Sequence, residues 1–282
     1  MTIDAVVLDD LISAVRQIAA EEILPRFRTL KVGEIAVKTR VDDLVTVADR
    51  AAEARLTEVA AKLLPDVVVV GEEAVSENPN VRNAIDEHTC LIVDPVDGTW
   101  NFANGIATFG VILSLSKRGE TVWGMIYDPV GDDWAIASRG EGARFVRANG
   151  EETSLTIAND RAPDVSAAMG FVHSYLFHGE ERRRLFPRLS AFHQTGALRC
   201  SAHEYRLLAR QAADFCVSPV MNPWDHAAGC LIAEEAGGVA RLLTGDIYQP
   251  TVRDGRLIVA SSEACWAMVC LLYTSPSPRD GT

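Results

Sequence analysis

Residues 91–102 read LIVDPVDGTWNF. An apolar run, Leu91–Val93, breaks directly into two aspartates, Asp94 and Asp97, with Pro95 between them and Gly98 and Thr99 behind. Such a run suits a short buried strand, and Asp-Pro ends it. Strand ends in layered α/β sheets are where ligands bind. Two carboxylates three residues apart, followed by a glycine that lets backbone approach a ligand closely, are unusual as plain turn chemistry.

The same context recurs on either side. Gly71-Glu72-Glu73 follows the apolar strand Val67–Val70, and Asp225 opens a helix, Trp224–Ala236, closed by Gly237-Gly238. Each of these has a plainer reading. Glu72 and Glu73 alone would pass as a solvated turn. Asp225 would pass as a first-turn acid, behind Asn222 as cap and Pro223 at the first helical position. Thr46 with Asp49 three residues on reads as a capping box at the start of a helix running to about Leu64.

Together the acids suit a hard cation. Mg²⁺ takes oxygen ligands and keeps several waters, so a few carboxylates and a backbone carbonyl suffice. Without a cation, clustered carboxylates repel one another and raise their own pKa values. A pair of such ions can activate a water and stabilise a leaving oxygen.

The remaining pattern sets the fold. Leu8, Leu11, Ile12, Val15, Ile18, Ala19 and Ile23 mark a first helix by their three- and four-residue spacing. Gly110–Ser116 and Thr121–Tyr127 flank a turn and read as a hairpin, which Trp134–Ser138 and Ala143–Val146 extend. The polar stretch from Gly150 to Pro163 reads as a connector between two packed halves, 1–150 and 151–272. Beyond it helix and strand alternate: a helix at Ser201–Ala213, strands at Phe215–Val217, Val239–Leu243 and Leu257–Ala260, and a last helix at Glu263–Leu272. Such alternation means an α/β (α+β) fold of stacked helix and sheet layers. Residues 273–282 (YTSPSPRDGT) are polar and rich in Pro and Ser, and read as a disordered tail or an appended artefact.

Composition narrows the functional classes. With 282 residues, 48% of them hydrophobic, the chain can bury a large core. Its net charge of −12 argues against nucleic-acid partners and anionic membranes. No apolar run reaches a membrane-spanning length, and the acidic N-terminus is unlike a signal peptide. The six cysteines form no CxxC pair and read as reduced thiols of a cytoplasmic protein.

At these residues the sequence resembles the inositol monophosphatase family, over nearly the whole chain to about Leu272. Asp94–Phe102 and Trp224–Gly229 (WDHAAG) look like its two signatures, and Val45–Asp49 and Gly71–Glu73 match two further blocks in order. The resemblance implies a layered α-β-α-β-α sandwich like that of the inositol monophosphatases and fructose bisphosphatases, assembled as a homodimer. It implies a lithium-sensitive phosphatase holding two or three Mg²⁺ ions and acting on a small phosphorylated metabolite. Glu72, Asp94, Asp97, Asp225 and the Val96 carbonyl would ligate metal. Asp49 and Thr99, with Glu72, would be catalytic. Gly98, Thr99, Ser201, Ala202 and Asp225 would contact substrate, with Lys38 and Glu73 close by.

The substrate end departs from the family pattern. Cys200 stands where many members have glycine, Arg210-Gln211 falls where a glycine turn is common, and Ser218 falls where an acid grips inositol hydroxyls. His203 and Tyr205 are candidates to read another substrate, although ordinary helix-face positions explain them slightly better. His226 is a candidate support for Asp225, or a solvent-facing residue. His173, His178 and His193 are too scattered for zinc. Trp100 and Phe102 read as packing residues. Bisphosphate nucleotidase, fructose bisphosphatase and histidinol phosphatase remain open as alternatives, as does a non-catalytic partner of RNA or the transcription machinery.

Overall fold

The computed structural model describes residues 4–158 and 164–274. The first helix, α1 (Ala5–Ile18), starts where the Asp4 carboxylate accepts the Val6 N–H, and it buries Leu11, Ile12, Val15 and Ile18 along one stripe. A short ribbon, β1 (Ile35–Val37) and β2 (Leu44–Thr46), leads into α2 (Val47–Leu63), β3 (Val68–Gly71), α3 (Glu72–Glu77) and α4 (Ala84–Glu87). After β4 (Thr89–Asp97) and α5 (Thr99–Ala103) comes a meander of β5 (Gly110–Lys117), β6 (Glu120–Asp128), β7 (Asp133–Ser138), β8 (Gly142–Arg147) and β9 (Glu152–Leu155). The rest is β10 (Met169–Val172), α6 (Gly179–Leu189), β11 (Gln194–Gly196), α7 (Ser201–Ala209), β12 (Phe215–Ser218), α8 (Pro223–Glu235), β13 (Val239–Leu242), β14 (Leu257–Ala260) and α9 (Glu263–Thr274).

Two sheets form the frame. Strands β3 to β9 lie side by side in chain order, and the second sheet runs β11-β10-β12-β14-β13. Alternation along each strand feeds a different core from each face. From β5, Val111, Leu113 and Leu115 meet Leu11, Val15 and Leu56 of α1 and α2. Ile112 points the other way, toward Leu208 of α7 and Ala228 and Leu231 of α8. In the second sheet, Leu257 and Val259 face that same middle layer, whereas Ile258 and Ala260 face Leu185 of α6 and Val269 of α9. The layers are therefore α1/α2, sheet, α7/α8, sheet, α6/α9, which is the expected five-layer sandwich.

Local chemistry explains the hairpin. Arg118 and Gly119 both have positive φ (50° and 82°), and Lys117 pairs with Glu120 across them, the two-residue turn that matches strand twist. Three expectations change. The stretch after Gly150 is not all connector, because Glu152–Leu155 pairs with β8 as an edge strand. Its remainder includes residues 159–163, outside the described residues. The helix from Ser201 stops at Ala209, and Gln211 takes a left-handed φ of 59°, the conformation that favours glycine at this turn. Tyr273 and Thr274, assigned to the tail, continue α9, with Tyr273 buried against Phe177; residues 275–282 lie outside the described residues. No helix among the described residues is long and apolar enough to cross a membrane.

Candidate metal centre and active site

Residues three apart on a regular strand face opposite sides. Between Asp94 and Asp97 the register shifts: Asp94 pairs with Ile112 and Asp97 with Gly110, so three steps on β4 oppose two on β5. This bulge absorbs the odd residue and turns both carboxylates to one side. With Asp225 they bring carboxylate oxygens within 4.8 Å of one another. Pro95 is tolerated because a bulge is where a missing N–H breaks no ladder.

Each acid is held by its own local device. Asp94 Oδ1 accepts the Val96 N–H at 3.1 Å. Asp97 Oδ2 accepts the Ala202 N–H at 2.5 Å and the Cys200 thiol at 3.1 Å. Asp225 occupies the first turn of α8, behind Asn222 and Pro223, and its Oδ2 accepts the Asn222 amide at 3.2 Å. Glu72 opens α3, and Lys38 Nζ bridges it to Glu73 at 2.7 and 2.6 Å. Beneath them the Glu53 carboxylate caps α3, accepting the Glu73 and Ala74 N–H groups at 2.9 and 2.8 Å. Gly71 makes room for it, since a Cβ there would fall 2.2 Å from the Glu53 carboxyl carbon.

Thr46 and Asp49 form the capping box read from the sequence: Asp49 Oδ2 takes the Thr46 N–H at 2.8 Å while Thr46 Oγ1 accepts the Ala48 N–H at 3.1 Å. Asp49 does more than cap, because its Oδ1 lies 3.0 Å from the Thr99 hydroxyl, which also lies 2.9 Å from the Val96 carbonyl. Gly98 has φ 85°, and a Cβ there would meet the Thr108 carbonyl at 2.9 Å. That turn therefore requires glycine.

Crowded acids under little solvent resist ionisation. Burial, then the charges of Glu72 and Asp97, push Asp94 and Asp225 well above the usual carboxylate range. Burial lifts Asp97 to about 6 against the Ala202 N–H, and Asp49 to about 6 against the Thr46 hydroxyl. Glu73 is pushed up to about 8 by burial and by Glu72, while Lys38, disfavoured by burial, is held above its ordinary value by both glutamates. A divalent cation relieves this conflict. The donors gathered are carboxylate oxygens only, which suits a hard ion.

Glu72, Asp94, Asp97, Gly98, Thr99 and Asp225 line one cavity of about 300 Å³. Asp49, Lys38 and Glu73 stand behind its wall, joined to it through Thr99 and Glu72. Ser201 and Ala202 do not line the cavity: both are buried, and Ala202 serves Asp97. Trp100 is not core packing, because it lines the cavity and stacks on Arg199. Phe102 does pack, edge-on to Phe109. His203 binds the Phe109 carbonyl, and Tyr205 binds a fully buried His226, whose other nitrogen meets the Val220 carbonyl. Residues that the sequence left unremarked are Glu53, Tyr175 and Asp42. Glu53 carried a signal, an acid on the core-facing stripe of α2 beside Ala52 and Leu56. Tyr175 and Asp42 carried none.

The sequence model of the Inositol monophosphatase family matches residues 5–272. A "Fructose-1,6-bisphosphatase/inositol-1-monophosphatase" of Thermotoga maritima is 29% identical, covering 76% of this chain and 77% of its own. A "Nus factor SuhB" of Haemophilus influenzae is 31% identical, covering 81% and 82%. Among solved structures, a Thermotoga maritima IMPase superposes with a TM-score of 0.77 at 24% identity, over 94% of this chain and 96% of that one.

Proposed function

Because the chain belongs to the inositol monophosphatase family, we propose that it hydrolyses a small phosphate monoester, with Mg²⁺ as its cation. One observation carries the reading beyond family membership. The Thr99 hydroxyl stands on the cavity wall among the acids, 3.0 Å from a buried Asp49 whose other oxygen is fixed by Thr46.

Bound Mg²⁺, in two or three ions, supplies neutralisation of the acids and of the phosphoryl oxygens and makes a water more acidic. Glu72, Asp94, Asp97, Asp225 and the Val96 carbonyl are its ligands in this reading. The backbone N–H groups of Gly98 and Thr99 bind the phosphate, and Asp225 also orients the substrate. Thr99 Oγ1 accepts a proton from the attacking water while passing its own to Asp49. Asp49 is placed to take that proton, its other oxygen being fixed by the Thr46 N–H. The water oxygen attacks phosphorus, the P–O bond to the alcohol breaks, the alkoxide takes a proton from solvent water, and Asp49 returns its proton to solvent as alcohol and inorganic phosphate leave. Lys38 holds Glu72 in place beside this centre. Lithium sensitivity and a homodimer belong to the same family reading. Six free cysteines, five of them buried, fit the reducing cytoplasm.

A second reading has its own support. The relative named as a Nus factor is similar over most of this chain, so the expectation of no nucleic-acid partner, drawn from net charge alone, loses its force. A non-catalytic partner of the transcription machinery has no evident use for the Thr99–Asp49 relay.

Phosphate release by the purified protein with Mg²⁺, across inositol, sugar, nucleotide and histidinol phosphates, separates the two readings. We expect turnover, with Thr99→Ala lowering kcat by about 10²-fold or more while the Mg²⁺-induced rise in melting temperature persists. No release from any ester by a protein that still binds Mg²⁺ would favour the Nus-factor reading.

A further inference from the structure

We infer that Arg199 is a second anion anchor in the cavity, and that the substrate is a phosphate monoester carrying another anionic group at its far end. The inference rests on the phosphatase reading above.

The backbone around Arg199 is held from several sides. Arg199 has a φ of 57°, left-handed for a residue with a side chain, a conformation that persists only where neighbours over-determine it. Leu198 is fixed at both ends, its carbonyl taking the Asn101 amide at 2.8 Å and its N–H bonding Glu204 at 2.7 Å. The Arg199 carbonyl lies 3.3 Å from where a Gly98 Cβ would stand, so this loop abuts the turn assigned to the phosphate.

The side chain is clamped as well. Its guanidinium carbon sits 4.4 Å from the Trp100 ring centre and 4.6 Å from that of Tyr175, sandwiched between the two, and all three residues line the cavity. Nη2 bonds Asp42, to the carboxylate at 3.1 Å and to the carbonyl at 3.3 Å. Nε is buried without a partner. Nη1 bonds nothing among the described residues, and the side chain is 25% exposed. A planar, always-charged group held this rigidly, with donors unspent, is built to meet an anion.

Charge and wall chemistry agree. Asp42 is shared, taking Arg40 Nε on its other oxygen at 3.3 Å, so two cations at the mouth divide one carboxylate. Asp43, the further acid there, is turned to the Thr39 hydroxyl. Elsewhere in the lining, Leu176 and Val220 are apolar and the Asn222 amide is spent on Asp225, while Ser218, outside the lining, turns its hydroxyl to the Val220 backbone. An anion finds a fixed guanidinium.

The test compares three-carbon phosphate monoesters that differ only at the far end: glycerol 3-phosphate, 3-phosphoglycerate and glycerol 1,3-bisphosphate, each at saturating Mg²⁺. We expect kcat/KM for at least one anionic-ended ester to exceed that for glycerol 3-phosphate by about tenfold or more, mainly through KM. The better of the two tells a carboxylate from a phosphate. Arg199→Gln should collapse the ratio, and Arg199→Lys should keep part of it. Equal kcat/KM for all three in the wild type, or a ratio unmoved by Arg199→Gln, overturns the anchor and leaves the phosphatase reading standing. Should Arg199→Gln fail to fold, the wild-type ratio and the lysine variant decide. No release from any ester or from the wider panel, with Mg²⁺ still bound, removes both readings together.

Discussion

The two ends of the cavity are built on different plans. At the metal end, Asp94, Asp97 and Glu72 come from the ends of two parallel neighbouring strands, with Asp94 fixed by the Val96 N–H, Asp97 by the Ala202 N–H and the Cys200 thiol, and Glu72 by Lys38. At the mouth, Arg199, Trp100, Tyr175 and Asp42 come from four separate segments, and what holds them is stacking and a shared ion pair. The metal end gathers like charges, whereas at the mouth Arg199 and Arg40 share Asp42. Reaction chemistry and substrate choice can therefore change separately, as expected where one fold hosts many functions.

The largest effect should come from breaking the metal end. Asp94→Asn should lower kcat by about 10³-fold or more, since the cation's charge stabilisation contributes several kcal/mol. The metal-free protein should melt higher, because one of the mutually repelling buried carboxylates is gone. The rise in melting temperature on adding Mg²⁺ should shrink at the same time. A variant that keeps its turnover, or melts lower without metal, would show that Asp94 is structural and that the two ends differ less than described.

The difference between the ends also sets what the sequence could disclose. Asp94, Asp97 and Gly98 form one short run, but Asp-Pro, read as the end of the strand, lies inside it: β4 continues through a bulge at Pro95 to Asp97. Asp49 could be read as a cap, and it is one. That its second oxygen reaches Thr99, 50 residues later, needs the α2–sheet packing. Strand β9 escaped because a polar edge strand shows no apolar alternation: of Glu152–Leu155 only Leu155 is buried. The mouth was the least legible. Trp100 beside a buried Phe102 looks like core, and nothing local marks Tyr175 or Asp42 as its neighbours. A cation between two rings is a tertiary fact.

A smaller effect should separate support from ligation at the metal end. Glu53 does not line the cavity, yet both its oxygens orient the start of α3, on which Glu72 stands. In Glu53→Gln one acceptor becomes an NH₂ group facing a backbone N–H. This should cost about 1–3 kcal/mol of stability in chemical denaturation. Mg²⁺ affinity, read by titration calorimetry, should weaken about 10–100-fold, as for residues that orient metal ligands. Gly71→Ala should reproduce the defect by driving a Cβ into the same carboxylate. Lost stability with unchanged Mg²⁺ affinity would make Glu53 a cap for α3 and nothing more.

The smallest effect should appear beneath the mouth, in the pH dependence of melting. His173 Nε2 lies 2.6 Å from Glu204, whose other oxygen holds the Leu198 N–H beside Arg199. Burial lowers the His173 pKa, but the Glu204 charge, with Asp225 and Asp97 beyond it, outweighs burial and leaves the pKa raised. A histidine whose folded pKa lies above its unfolded value of about 6.5 adds stability that is fully present below 6.5. That stability is lost as pH rises through the folded value. At saturating Mg²⁺, which keeps the metal-binding carboxylates ionised throughout, the wild type should lose about 2–4 °C more than His173→Gln across that window. The shift in melting temperature on adding Mg²⁺ should be alike in both proteins. Parallel melting curves at every pH would mean that His173 is neutral and that the loop bearing Arg199 is held by geometry without charge.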